Sequence, residues 1–365
     1  MNRVLARWYQ KYFSDPDGVA LAVVLMFGFL IIYFMGHMLA PVLGALVLAY
    51  LLEGLVLTLQ HWKLPRLLAV TIVFVVFMAF LLFILFGLMP LLSRQVGELV
   101  NELPRMVMRG QETLLRLPEL YPTLVSEEEV RKVMRDIGTY VREMVQNIAS
   151  FSLASITGIF TWVVYLVLVP VLVFFFLKDK GRIMSWTSAL LPAERKLTTQ
   201  IWREMNVQVG NYVRGKFVEI LIVGVVSYVT FAIMGLNYAM LLGALVGLSV
   251  IIPYIGAVVI TVPVLLIGFF QWGWGAEFGY IAIAYLIIQT LDGNVLVPLL
   301  FSEAVNLHPV AIIISVLVFG GLWGFWGVFF AIPLATLVAA VITAWPRASH
   351  SVLVGNDHTE QAVSE

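Results

Sequence analysis

Leu67–Leu92 reads LLAVTIVFVVFMAFLLFILFGLMPLL, 26 residues without one charged side chain. A helix needs about 20 mostly apolar residues to cross a bilayer, so this run is long enough to span. Its flanks repeat the message. Across the 365-residue chain 61% of residues are hydrophobic and 12% are charged, and the mean hydropathy is +0.97. A soluble domain carries about 25% charged residues. No aqueous interior holds that apolar surplus, so lipid is part of the solvent. Ten-residue alternating patterns are absent, which leaves an all-α polytopic bundle rather than a barrel.

Working outward, a first span covers 19–38 and a tight turn near Ala40-Pro41 returns the chain through a second span to Leu59. Lys63 and Arg66 sit in the next joint, 151–177 is a fourth span, and 217–346 is almost wholly apolar. About eight membrane segments result. The organisation reads as N-terminal membrane helices (1–92), an extracytoplasmic amphipathic helical domain (93–150) and a membrane helix with a cytoplasmic linker helix (151–216). A transport core (217–346) and a cytoplasmic tail (347–365) follow. No cleavage-like site follows the first apolar run, so it reads as a retained span. Arg3, Arg7 and Lys11 precede that span, and Lys63 and Arg66 follow the second. The joint between the two has no Lys or Arg. The positive-inside rule then puts both termini in the cytoplasm of a cell with an inner membrane, and 93–150 outside. Trp8, Tyr9 and Tyr12 form an interfacial belt at the inner face.

In the outer segment Leu92, Val96, Leu99, Val100 and Leu103 recur at helical spacing, as do Val130, Val133, Ile137, Tyr140, Val141, Met144 and Ile148. Ser126 with Glu129 forms a capping box for the second of these helices. Two readings stay open: an oligomerisation or gating domain, or a solvated hairpin that covers the spans. The apolar faces of these helices favour a homo-oligomer. The 178–216 segment reads as a connector holding one amphipathic helix that starts at Pro192.

Between Lys216 and Arg347 there is no Lys or Arg, and the acids are Glu219, Glu277, Asp292 and Glu303. Two apolar stretches there are broken at mid-run. Residues 238–271 are broken at Ile252-Pro253-Tyr254-Ile255-Gly256, and 309–345 at Gly320 to Gly327, through Gly321 and Gly324. Backbone freed by such breaks must be buried in protein or line a wet cavity. Each break is followed by a Gly, a short apolar run and a Pro: Gly256 to Pro263, and Gly327 to Pro333. Two re-entrant hairpins of opposite topology, as in an inverted-repeat transporter, fit this symmetry. Four short spans with packing glycines also fit, since Gly243/Gly247 and Gly320/Gly324 have small-xxx-small spacing.

Several ordered stretches carry a resemblance. They are Val169-Pro170 with Phe176-Leu177-Lys178-Asp179, then Asn211-Tyr212-Val213-Arg214-Gly215-Lys216, then Ile252 to Gly256. Asp292-Gly293-Asn294 with Pro298, Asn306-Leu307-His308-Pro309 and the run from Gly320 to Pro333 complete the set. Through them the chain resembles the autoinducer-2 exporter family, and within it the PerM-type permeases. The resemblance covers essentially the whole chain. It implies about eight membrane segments, and export of a signalling furanone or cation/proton exchange.

Much chemistry is excluded. There is no phosphate loop and no His-Glu-x-x-His, the five His are scattered, and there is no cysteine. No cofactor, metal or enzymatic role is implied, and without a clustered basic patch nucleic acid is not a partner. The partners expected are the lipid bilayer and a small-molecule or ion substrate. A site must therefore come from polar residues in the spans. Asp292 leads, because an acid at membrane depth costs about 2.5–3.5 kcal/mol on insertion scales. It has no Lys or Arg within its own run, and Gln289 and Asn294 flank it. A protonated acid bonded to broken-helix backbone is its structural alternative. Glu219 is a gating acid or half of an interfacial ion pair with Arg214 or Lys216. Tyr254, at a hairpin tip, contacts substrate or packs. Pro253, Gly256, Gly321 and Gly324 are the hairpin and gating residues. Glu303, Asn306 and His308 read as loop residues. The function expected is a secondary permease, with a non-transporting scaffold and a passive channel as alternatives. A scaffold has no need for an uncompensated acid and two broken segments. No ring-forming polar filter marks a channel.

Overall fold

The computed structural model describes residues 16–115, 128, 132, 138–139, 143, 146, 155–189, 196–301 and 307–344. Among them every regular element is helical. In chain order these are α1 (Pro16–His61), α2 (Arg66–Phe83), a π turn (Ile84–Leu88), α3 (Met89–Leu115), α4 (Ser155–Lys178), α5 (Lys180–Ala189) and α6 (Lys196–Ile233). They continue with α7 (Ala239–Ser249), α8 (Ile255–Trp272), α9 (Ala276–Leu291), a second π turn (Asp292–Leu296), α10 (Val297–Phe301), α11 (Pro309–Phe329) and α12 (Ala331–Ala344). Among the described residues six stretches are long and apolar enough to cross a membrane, or seven if the bent pair α4–α5 is one span. Each of the six buries only 11–28% of its apolar window within the chain.

The turn expected at Ala40-Pro41 is absent. Pro41 lies inside α1, which runs 46 residues without interruption. Proline removes one N–H, but in an apolar medium a reverse turn strands several backbone groups far from water. One lost helical bond is the smaller cost. The span at 67–92 likewise does not stop where the amphipathic pattern starts. Helix continues from Arg66 through the first π turn to Leu115. The capping box at Ser126 and Glu129, the prolines at 118 and 122, and Pro192 lie outside the described residues.

Two compact units divide the chain. The larger holds residues 38–183 and 210–306 and contains two apolar clusters. Ala45, Ala49, Leu52 and Val56 of α1 meet Ala69, Val70, Val73 and Phe77 of α2 and Val173 and Leu177 of α4. The spacing of three and four in each helix is one helical face. The second cluster joins Val223 and Phe231 of α6, Leu242 and Val246 of α7, Ile260, Val264 and Ile267 of α8, and Ile281, Tyr285 and Ile288 of α9. Leu99 of α3 packs against this cluster, and the Gln95 side chain accepts the Leu241 N–H at 2.8 Å. Part of the amphipathic face of α3 is thus covered by the chain itself.

Glycine decides how closely α7 docks. A Cβ on Gly243 would stand 2.7 Å from the Tyr228 backbone, and one on Gly247 would stand 2.7 Å from the Ile220 carbonyl oxygen. The small-xxx-small spacing does bring α7 against α6 at contact distance. α7 and α8 then form a helical hairpin, in which Gly256 lies directly against the Ser249 carbonyl. A Cβ there would overlap that oxygen, so Gly256→Ala is expected to push the arms apart. Overpacking of this kind costs about 1–3 kcal/mol or more. The check is thermal unfolding of the detergent-purified variant, and an unchanged midpoint refutes the close contact.

The smaller unit holds residues up to 37, 184–209 and 307 onward. Its described part includes a second hairpin. The backbone of Gly324 leaves the helical region (φ 59°, ψ −133°), and α11 folds back there. Gly327 lies against the Phe319 carbonyl and Gly320 against Val328. Gly256 and Gly327 therefore hold the same place in two separate hairpins: the close contact just past the tip.

Candidate functional site

The tip of the first hairpin is tightly wound. Tyr254 has φ 61° and ψ −51°, and the Ile255 N–H donates to the Pro253 carbonyl at 2.7 Å. This is a three-residue γ-turn of the rare positive-φ kind. A bulky side chain held there stores strain of the sort that gathers at functional sites. The Tyr254 ring is half exposed. Proline at 253 fixes φ before the turn and Gly256 admits the returning arm, so each residue of the break has a backbone reason.

The second hairpin distributes its glycines differently. Gly324 supplies the break through its positive φ. Gly321 is helical and has no heavy atom within 4 Å of where a Cβ would stand. His308 caps α11, its Nδ1 accepting the Val310 N–H at 3.3 Å. Glu303 and Asn306 lie outside the described residues.

The acidic candidates belong to one neighbourhood of the larger unit. α6 turns Tyr212, Lys216, Glu219, Val223, Ser227 and Phe231 inward, and all six are buried. Their steps of three and four residues make one stripe, with a cation and an acid embedded in it. Lys216 Nζ donates to Glu219 Oε2 at 2.7 Å, and both side chains are at most 5% exposed. The Lys216 ammonium also sits 5.3 Å from the centre of the Phe301 ring, with Tyr212 on the same ring at 5.7 Å. Gly215 lets the ring this close, since a Cβ there would touch it at 2.7 Å. The pair expected at an interface is thus buried, and its cation is Lys216 rather than Arg214. Arg214 is held by Asn211 Oδ1 at 2.8 Å and packs beside Gly54 and Gly210.

Asp292 opens the second π turn, within the otherwise continuous helix Ala276–Phe301. Pro298 follows, and it has no N–H for the carbonyl four residues back. The widened turn just before it absorbs that loss, and such bulges recur at functional sites. Asp292 is coupled through its charge to Lys216, and Glu219 to Asp292. The expectation that Asp292 has no basic residue near it is therefore corrected. The cation comes from α6, 76 positions away in sequence. Asp292 Oδ1 is buried without a hydrogen-bond partner among the described residues, and so is Gln289 Nε2, three residues earlier. One is an acceptor and the other a donor, on neighbouring positions of one helix face. Asn294 turns its amide back onto the Thr290 carbonyl at 2.9 Å and is exposed.

Sequence reading named Lys216 as a possible partner of Glu219 but placed it at the end of a polar connector and missed its burial and its link to Asp292. Two signals mark it. Lys216 and Glu219 are three apart, and the apolar stripe of α6 runs through both. Glu53 was missed as well. It is the lone acid between Asp17 and Glu98, it is buried, and it pairs with Arg66 and Lys180.

Residues 21–347 match the family described as AI-2E family transporter. The chain is 49% identical to "Putative permease PerM" of Escherichia coli K12 over 346 residues, 95% of this chain and 98% of that protein. It is 29% identical to "Putative transport protein YueF" of Bacillus subtilis, over 85% and 84% of the two chains. It is 24% identical to "AI-2 transport protein TqsA" of E. coli K12, over 87% and 90%.

Proposed function

The chain belongs to the AI-2E transporter family, and from that membership we propose a secondary permease that exports or exchanges a small molecule or ion with proton coupling at Asp292. It is a multi-pass membrane transport protein. The observation that carries the finer reading is the unpartnered Asp292 oxygen beside an unpartnered Gln289 nitrogen, in a bulged membrane helix next to the buried Lys216–Glu219 pair. A buried donor and acceptor left unmade cost about 1–3 kcal/mol each, and a ligand or a proton arriving there removes that cost. Asp292 exchanges the proton. Gln289 and Asn294 offer uncharged contacts, and Glu219 draws Lys216 away from Asp292 or releases it. The glycine-backed α7–α8 hairpin re-enters the membrane and gates access to the site, with Tyr254 as the moving tip, and the α11–α12 hairpin is a second re-entrant segment. α7, at 11 residues, is about 16 Å long. That is about half of the hydrocarbon core and suits a re-entrant arm.

Flux into proteoliposomes with an imposed pH gradient tests this, using a panel of small polar organic solutes and alkali cations. Gradient-dependent uptake of at least one class is expected. Indifference of every flux to the gradient refutes the coupling.

For orientation, the joints at 62–65 and 178–180 share one face of the membrane, since Arg66 reaches the Leu177 carbonyl and Lys180 reaches Glu53. Their Lys and Arg residues support the cytoplasmic face for both, with residues 93–150 outside. A cysteine placed at Thr123 is expected to react with an impermeant thiol reagent in intact spheroplasts, and one at Thr198 is not. The reverse labelling pattern overturns the orientation. Self-association through the outer segment completes the reading, and deleting 93–150 is expected to shift the detergent-solubilised particle toward monomer. An unchanged number of chains per particle assigns that segment to covering the spans.

A further inference from the structure

Three helix ends of the larger unit meet at one boundary of the membrane. α1 ends at His61, α2 begins at Arg66, and α4 ends at Lys178 before an 81° bend into α5. Glu53 lies buried beneath them. Arg66 Nη2 stands 3.4 Å from both Glu53 oxygens and donates to the Leu177 carbonyl at 2.7 Å. Lys180 Nζ donates to Glu53 Oε1 at 3.0 Å. Glu53 is thus shared by two cations.

That sharing leaves a charge uncancelled. One carboxylate stands between two cations, the exposed Lys63 and Lys178 add two more on the same joints, and Asp179 offsets one. Donors are also left over. Arg66 spends a single nitrogen on Glu53 and Leu177, so its Nε and Nη1 make no hydrogen bond to described residues, and Lys180 uses one of three protons. Both side chains remain more than a third exposed. Nε and Nη1 point to different sides of the guanidinium, and each offers a single charge-assisted N–H to a phosphate oxygen. Apolar side chains adjoin the cations on the lipid side. Leu67 and Leu68 follow Arg66, Phe175 precedes the α4 end, and Trp62 stands exposed in the joint. Exposed tryptophan at a span end belongs at headgroup depth.

We propose that this junction binds an anionic membrane phospholipid. Arg66 and Lys180 take its phosphate, and its acyl chains lie along Leu67, Leu68 and Phe175. The uncancelled positive charge favours phosphatidylglycerol-type lipids over a zwitterionic headgroup, whose own ammonium repels the same cations. The adjoining apolar side chains favour a lipid over free phosphate. The junction ties α1, α2 and α4 together through Glu53, so the lipid seals a tertiary contact. It is independent of the Asp292 neighbourhood.

The full chain purified in detergent is heated with added phosphatidylglycerol, with phosphatidylcholine, or with inorganic phosphate. Phosphatidylglycerol is expected to raise the unfolding midpoint by several degrees, because a ligand that binds only the folded state stabilises it. The other two additions are expected to leave it nearly unchanged. Glu53→Gln releases both cations and is expected to enlarge the phosphatidylglycerol shift even if the variant starts from a lower midpoint. Lys180→Gln keeps the Arg66–Glu53 pair, so the protein still folds, and is expected to cut the shift by about half. Equal shifts from the two lipids overturn the proposal, as does a full shift from inorganic phosphate. An undiminished shift in Lys180→Gln also overturns it, and it needs no result from the Glu53 variant.

Discussion

Asp292→Asn is expected to reduce pH-gradient-driven flux to the level of protein-free liposomes while the protein still assembles and retains some exchange of bound substrate. The amide keeps the shape of the carboxyl group and removes the exchangeable proton. Asp292 Oδ1 has no hydrogen-bond partner among the described residues, so the folded state gives up no described hydrogen bond there. The charge removed stood near Lys216, which keeps its 2.7 Å bond to Glu219. Expression and thermal stability should therefore stay near those of the parent chain, and the loss should appear in coupling alone. Full gradient-driven transport by the Asn variant makes Asp292 a structural acid and moves attention to Glu219.

Lys216→Met is expected to be among the most destabilising single changes in the chain. It strands Glu219 in a site where that side chain is 2% exposed. Breaking a buried pair from one side costs about 3–5 kcal/mol, whereas replacing both partners with apolar groups of similar volume is often neutral or stabilising. The double variant Lys216→Met/Glu219→Leu should therefore recover the unfolding midpoint lost by the single one. Function separates two roles. A pair that serves only packing leaves the double variant transporting normally. A pair that balances Asp292 leaves it stable but with altered dependence on the pH gradient, because the cation next to Asp292 is gone. Failure of the double variant to regain stability refutes the buried-pair account.

The class of protein was legible in the sequence because it follows from solvent. Twenty-six uncharged residues at 67–92 have one use, and the glycine spacing at Gly243/Gly247 has one geometry. Both appear in the structure. The breaks at Pro253–Gly256 and around Gly324 were legible too, since proline and glycine act on their own backbone. The turn at Ala40-Pro41 was misread. A proline says that a bond is lost there, but whether the helix stops depends on the medium around it, and lipid keeps it going.

Charge partners were the least legible part. Pairing depends on which helices touch, so a residue 76 positions away answers Asp292 and a residue 127 positions away answers Glu53. The sequence by itself determined an all-helical membrane transporter, the breaks at Pro253–Gly256 and around Gly324, and the polar residues available inside it, since each follows from local composition and backbone geometry. Only the tertiary structure decided that Lys216 belongs to the acids rather than to a connector, and that Arg66 and Lys180 share one carboxylate. Coulomb energy falls with distance in space, and sequence separation does not measure that distance.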